Sequence, residues 1–344
     1  MLDAERKTNL LDYKFSDLFV SSDSTIPILA RNFSGPGVEP GVSGATVELP
    51  DHLVTEARAL FADIERRWAA ERFPNEFSVS YGQIAFRCSR IVAPDGVAHE
   101  PRASDLAEQA KEWCLRRLDG QHLTLDQLGY PSWARDELRR VGQAPGMVLV
   151  CGSFGSGKST TAAALFQDWV GTHGGIGVTL EDPIEKPIAG LYSGGRIYQM
   201  TVPERGFGDA IRASRRWAYR YLFLGEIRGE TASRELLQIS LGGPTVLTTI
   251  HASGPVEALM ALSNFAAGSN IDAKAVNDRL AASILGVVWQ NLNRGKVKIR
   301  YLSFRGRNVE SMRTKIADGK FRLLNDDLGF QTNLRDLGRF AESF

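Results

Sequence analysis

Cysteine is scarce: Cys88, Cys114 and Cys151 are the only three in 344 residues. They are isolated, with no CxxC pair and no partner at zinc-ligand spacing. That argues against a disulfide framework or structural metal and for a reducing compartment such as the cytoplasm. An excess of either charge is missing too. Forty-one Lys and Arg stand against forty Asp and Glu, a net charge of +1, so there is no global footprint for nucleic acid or an anionic membrane, and any such surface must be local. No apolar run approaches the ~20 residues of a membrane span, and the first stretch, with Asp3, Glu5, Arg6 and Lys7, holds no apolar signal core. Work at a membrane would therefore go through docking on a partner. Internal repeats and low-complexity tracts are also lacking. What remains, 43% apolar and 24% charged, is an ordinary globular composition of a length that favours two domains.

Residues 33–46 carry four glycines and two prolines and read as a loop. From Pro50 to Arg72, Leu53, Ala57, Leu60, Phe61, Ile64 and Trp68 recur at three- and four-residue steps, the period of an amphipathic helix, with Asp51 placed to cap it. Residues 77–87 then alternate Phe77, Val79 and Tyr81, with Ile84 and Phe86 after Gly82, as a half-buried hairpin does. Helix plus sheet predicts a small α/β domain ending near Asp119. Beyond the Gly129-Tyr130-Pro131 turn, short apolar strands alternate with long helical stretches, the pattern of a parallel sheet with crossover helices. Val148–Val150 runs into a glycine loop, Ile176–Leu180 precedes Glu181, Tyr221–Leu224 precedes Gly225-Glu226, and Val246–Ile250 precedes His251. Ligands of open α/β sheets bind outside the carboxyl ends of strands, so four strand ends point at one site.

Gly152, Gly157, Lys158 and Ser159 meet the pattern G-x-x-x-x-G-K-[ST] between a strand and a helical run, which is the context that gives the pattern its meaning. Across Gly152, Ser153, Phe154, Gly155, Ser156, Gly157, Lys158, Ser159 and Thr160, glycines let backbone N–H groups curl around a phosphate, and the following helix adds its positive end. Lys158 supplies a point charge for the β and γ oxygens of ATP, and Ser159 a hydroxyl for Mg2+. Hydrolysis needs an acid near the metal and a group to orient water. Tyr221-Leu-Phe-Leu-Gly225-Glu226 has the form of a Walker B strand, while Glu181, Asp182 and Glu185 follow another strand. Singly, such acids are ordinarily solvated loop residues or caps; two such ends beside a phosphate loop favour the functional reading. His251 closes a strand and is a candidate to sense the γ-phosphate or orient water, although a lone histidine there is ordinarily a satisfied structural residue. Arg212, Arg215, Arg216 and Arg220 fall on one helical side with Trp217, Tyr219 and Tyr221 interleaved. This is either a solvated face or a contact to a neighbouring subunit or nucleic acid.

Over roughly residues 75–305 the chain resembles the ATPases of type II and type IV secretion, type IV pili and conjugation, the superfamily of PilT-like motors. The motifs are Gly152–Thr160, the acidic stretch Val178-Thr-Leu-Glu181-Asp182-Pro183-Ile-Glu185, Gly225-Glu226-Ile227-Arg228, Thr248-Thr-Ile-His251, and the linker-like Leu123-Thr-Leu-Asp-Gln-Leu-Gly129-Tyr-Pro131. The resemblance implies an α/β chain with a flexible start over 1–13, a smaller PAS-like N-terminal domain over 14–119, a linker over 120–140, and a RecA-like ATPase domain over 141–344 whose last part is helical. It implies a homohexamer in which Glu181 is the base for water, Glu226 the magnesium-side acid acting through water, and His251 the phosphate sensor. Arg87, Arg90, Arg116 and Arg117 of the N-terminal domain would complete the nucleotide site. Such a motor would be cytoplasmic, held peripherally at the inner membrane by secretion or pilus platform proteins, with no direct nucleic-acid partner. Three departures stand out. Position 244 is proline where the family has a second histidine, Gly229 replaces a common aspartate, and the stretch from Val92 to Trp113 is long. The cysteine insertion of secretion and pilus-extension members is absent, and Trp289-Gln-Asn-Leu with Val297–Phe304 is most similar to the conjugative, Dot/Icm-like branch. Two other readings stay open: a nucleotide-binding assembly subunit with little hydrolysis, and a RecA-like nucleic-acid translocase.

Overall fold

The structure, a computed structural model, describes residues 9–38, 45–71, 76–81, 84–91, 112–118, 123–268, 272–293, 296–306 and 308–338. The first residues of the expected flexible start, residues 39–44 of the Gly/Pro loop, most of the long stretch after Val92, and residues 119–122 at the expected linker lie outside these. The chain divides into two compact units, Met1–Gly120 and Gln121–Phe344.

The first unit contains β1 (Asp17–Ser21), β2 (Leu29–Arg31), β3 (Thr46–Glu48), α1 (Asp51–Glu71), β4 (Glu76–Tyr81), β5 (Ile84–Ile91) and β6 (Glu112–Leu118). Its strands form one antiparallel sheet in the order β3-β2-β1-β6-β5-β4. The apolar stripe of α1, Leu53, Ala57, Leu60, Phe61 and Ile64, is buried in one core with Leu18, Phe77, Phe86 and Trp113. Trp113 is the keystone of that core, with Phe61, Trp68 and Phe77 set edge-on around it at centroid distances of 6.5, 5.7 and 5.8 Å. One local expectation is corrected. Helix α1 begins at Asp51 itself, so this carboxylate lies in the first turn against the helix dipole and is not the cap before it. The 77–87 hairpin is present, but β5 runs on to Ile91 and is paired on both sides.

The second unit contains α2 (Ser132–Val141), β7 (Gly146–Gly152), α3 (Lys158–His173), β8 (Gly175–Glu181), β9 (Gly190–Tyr192), β10 (Gly195–Thr201), α4 (Phe207–Ser214), β11 (Tyr221–Leu224), α5 (Glu230–Ser240), β12 (Thr245–His251), α6 (Pro255–Ala267), α7 (Ala273–Ser283), β13 (Ile284–Asn293), β14 (Lys296–Ser303), α8 (Val309–Ala317) and α9 (Leu324–Asp336). Eight strands form one sheet in the order β14-β13-β7-β12-β11-β8-β10-β9. The six from β13 to β10 run parallel, and β14 and β9 close the edges antiparallel. All of β7 and β11 is buried, as central parallel strands covered on both faces must be. One core joins residues of α4–α9 to one face, and a second joins α2 and α3 to the other. Each fully buried Leu or Phe contributes ~1.5–3 kcal/mol, so this sheet is the centre of stability of the second unit.

The arginine stretch does not lie on one helical side. Helix α4 ends at Ser214, and Arg215, Arg216 and Arg220 lie beyond it. Arg212 and Arg215 both bond Glu235 of α5, at 2.9 Å each. Arg220 covers the Tyr221 ring at 5.3 Å to its centroid and donates to the His173 carbonyl at 2.6 Å. The helix stops because Trp217 to Tyr219 must turn the chain into β11, with Ala218 at φ 50°.

Candidate functional site

The phosphate loop is shaped by its glycines. Gly152 has φ 157°, and a Cβ there would lie 2.3 Å from the Gln290 carbonyl oxygen. Gly157, at φ 85°, is the left-handed residue from which α3 starts, and no side chain caps that start. The first N–H groups of α3 are thereby left for an outside acceptor, and with the helix dipole they make an anion site. Phe154, at the loop tip, is 92% exposed.

Around this loop lies a cavity of about 310 Å³. Because β7, β12, β11 and β8 are parallel neighbours, Lys158, His251, Glu226 and Glu181 follow or end adjacent strands and all line it. Lys158 Nζ donates to the Ser153 carbonyl at 3.1 Å and stands 3.3 Å from His251 Nδ1. An ammonium has only donors, so Nδ1 is the acceptor and the imidazole proton resides on Nε2. That Nε2 is 2.8 Å from Glu226 Oε1, and Arg228 Nε donates to Glu226 Oε2 at 2.8 Å. The result is a row of alternating charge and dipole, Lys158, His251, Glu226, Arg228, across the mouth of the cradle. Burial lowers the Lys158 ammonium from its ordinary range. Ser159 and Thr160 also line the cavity. Ser159 and Glu226 both line it with hard oxygen donors. Such a pair suits Mg2+, which keeps several waters and takes one or two protein oxygens plus phosphate.

Glu181 is set apart from this row. It is buried, and accepts hydrogen bonds on Oε1 from Thr179 Oγ1 at 2.7 Å and Gln199 Nε2 at 2.9 Å. Burial pushes its carboxyl up to about 7 against those bonds. A carboxyl poised near neutrality at the edge of a phosphate cradle has the properties of a general base. Asp182 and Glu185 also line the cavity.

Sequence reasoning missed the supports. Tyr130 Oη donates to Gln290 Oε1 at 2.7 Å, and Gln290 Nε2 donates to the Ser156 carbonyl at 2.6 Å, all buried. Gln290 is thus a strut beneath the phosphate loop. The signal available was a glutamine directly after the apolar run Ile284–Trp289. Thr249 Oγ1 donates to the Gly225 carbonyl at 2.6 Å and pins β12 to the turn that carries Glu226.

The four arginines belong to the first unit. Arg116 Nε donates to the buried Asp17 at 2.8 Å. Arg117 covers the Phe15 ring at 5.2 Å and donates to the Tyr13 carbonyl at 2.5 Å. Arg90 covers the Trp68 ring at 5.2 Å, and Arg87 stands opposite Arg116 in the sheet register.

A parallel sheet with a glycine loop between its first strand and helix, and with acids and a histidine at neighbouring strand ends, defines a phosphate-loop nucleotide-binding protein of RecA-like architecture. The chain belongs to the type II/IV secretion system protein family, which matches residues 93–322. It is 32% identical over 229 residues to the putative type II secretion system protein E of Escherichia coli K12, covering 66% of this chain and 42% of that protein. It is 31% identical over 230 residues to the type II secretion system ATPase E of Vibrio cholerae, covering 66% and 41%. The chain thus spans about two fifths of the length of these relatives. In fold it is similar to the Legionella pneumophila ATPase DotB (TM-score 0.66, 20% identity, 90% of this chain and 84% of that one). It is also similar to the pilus retraction motor PilT with bound ADP (TM-score 0.67, 20% identity, 95% and 90%). Among the described residues no helix is long and apolar enough to cross a membrane.

Proposed function

We propose that this chain hydrolyses ATP with Mg2+ and uses the cycle to drive a secretion or pilus-type machine. The observation that carries this reading is the convergence of the phosphate loop with Glu181, Glu226 and His251 on one cavity. The α3 N-terminus and Lys158 hold the β and γ phosphates; Ser159, and Glu226 through water, would hold Mg2+, which would neutralise charge on the phosphate oxygens. Glu181 takes the proton of the water that attacks the γ-phosphorus. His251 gives up its contact with Lys158 when phosphate arrives, so its position reports the nucleotide state. Arg87, Arg90, Arg116 and Arg117 complete the site in the assembled ring, a homohexamer, with residues 14–119 and 141–344 as its moving domains and 120–140 as the linker. The machine is of type IV secretion or conjugation class, or a type IV pilus, and the ring works on the cytoplasmic side against membrane platform proteins. The type II names of the relatives make a type II machine the competing assignment.

Phosphate release measured for wild type, Lys158→Ala and Glu181→Ala tests the chemistry. Both variants should lose turnover by at least ~100-fold, Lys158→Ala together with nucleotide affinity. Wild-type hydrolysis by either would remove the role assigned to that residue.

A further inference from the structure

Gln199 is a side chain to which none of the motifs points, yet it makes four hydrogen bonds beside Glu181. It lies on β10 directly beside Thr179 of β8 in the parallel register, so both side chains reach the Glu181 carboxylate two residues further along β8. Its Nε2 donates to Glu181 Oε1 and to the Lys186 carbonyl, at 2.9 Å each. Its Oε1 accepts from the Ala189 N–H at 2.7 Å and also from the Ile188 N–H. An amide has two N–H donors and two carbonyl lone pairs, so this one is fully engaged. Its partners are the candidate base on one side and, on the other, the far end of the loop 182–189 that carries Asp182 and Glu185. One amide therefore ties that loop to the base.

We propose that Gln199 is a positioning residue for hydrolysis, holding the Glu181 carboxylate and the acidic loop in one arrangement through a single amide. The proposal rests on the reading of Glu181 as the base. Glu181 Oε1 is held by Thr179 and Gln199, and the Glu185 N–H is a further donor to the same carboxylate, so Gln199 is one of the bonds that decide which oxygen faces water. Without the Gln199 donor the carboxylate keeps the Thr179 and Glu185 bonds but is held less firmly, so it can turn about its Cγ–Cδ bond and present the wrong oxygen. A misplacement of about 1 Å in such a group costs on the order of 100-fold in rate.

The test uses two variants of the full chain. Gln199→Glu keeps an oxygen for the Ile188 and Ala189 N–H groups, and so keeps the loop anchored, but has no N–H for Glu181. Gln199→Leu loses every bond. Both should lower kcat about 10- to 100-fold while KM for ATP changes less than about 3-fold, because phosphate binding lies with the glycine loop. Adding Gln199→Glu to Glu181→Gln should produce no further loss, as expected of a residue that acts only through Glu181. Thermal unfolding and ADP binding of Gln199→Glu show that the fold and the cradle persist. Wild-type kcat in Gln199→Glu, with Glu181→Gln inactive, overturns the positioning role alone and leaves a plain loop anchor. Wild-type turnover in Glu181→Gln overturns the reading of the base and the role of Gln199 with it.

Discussion

At the scale of single residues, the chemistry depends on how a few groups are charged. Burial holds the Glu181 carboxyl at about 7, opposed by the hydrogen bonds from Thr179, Gln199 and the Glu185 N–H, while the Glu185 charge adds to the rise. A base acts when ionised, so kcat/KM for ATP should climb with pH through about 7. A pH-rate profile without a limb there would exclude Glu181 as the titrating base. The same shift bears on stability. The folded carboxyl keeps its proton to higher pH than the unfolded one, whose value is about 4.3. Between those values the folded state binds more protons, and stability falls as pH rises. Glu181→Gln, neutral at all pH, should therefore raise the unfolding midpoint at about pH 8 by more than at about pH 5. An equal change at both, read by calorimetry, would contradict a buried, proton-holding carboxyl.

At the scale of elements, two positions test how strands and loop support each other. Gly152 ends β7 where a Cβ would meet the Gln290 carbonyl at 2.3 Å, and both are backbone-anchored in a buried parallel sheet. Gly152→Ala should thus displace the loop, and equilibrium binding of ADP should weaken at least ~10-fold; unchanged affinity would show that the loop tolerates the shift. In the first unit Trp113 fills the centre of the core and its indole N–H has no hydrogen-bond partner among the described residues. Trp113→Phe loses packing only and should cost less than Trp113→Ala, for which about 3–5 kcal/mol is expected, measured by denaturant unfolding. Strand periodicity made the four strands facing the site, the helix α1 and the β4–β5 hairpin readable in advance. Strands β9 and β10 were not, because the three residues of β9 and the mixed Gly195–Thr201 of β10 carry no clean alternation and owe their state to pairing.

At the scale of the whole molecule, the ring belongs to the proposed function and has a direct test. If arginines of a neighbouring copy complete each site, hydrolysis per chain should rise with chain concentration and level off where light scattering reports a hexamer. Turnover independent of concentration, in a protein that stays monomeric with nucleotide, would exclude a shared site. Arg116 and Arg117 are informative here, since each already has partners within its own unit. Arg117→Ala loses its ring contact with Phe15 and the Tyr13 carbonyl, so its effect on hydrolysis must be compared with its effect on unfolding.

The sequence by itself determined the phosphate loop on which the proposed function rests. A glycine loop between strand and helix, with Lys158 and Ser159 in fixed places, binds phosphate by backbone geometry that depends on neighbouring residues only. It also placed Glu181, Glu226 and His251 at strand ends, because apolar strands announce where they stop. Tertiary structure alone decided what those groups do to one another: the order β7-β12-β11-β8 that makes them neighbours, the burial that lifts Glu181, and the bonds from Gln199 and Gln290. These contacts join residues 18 and 134 positions apart, and no local pattern encodes a hydrogen bond across such a span.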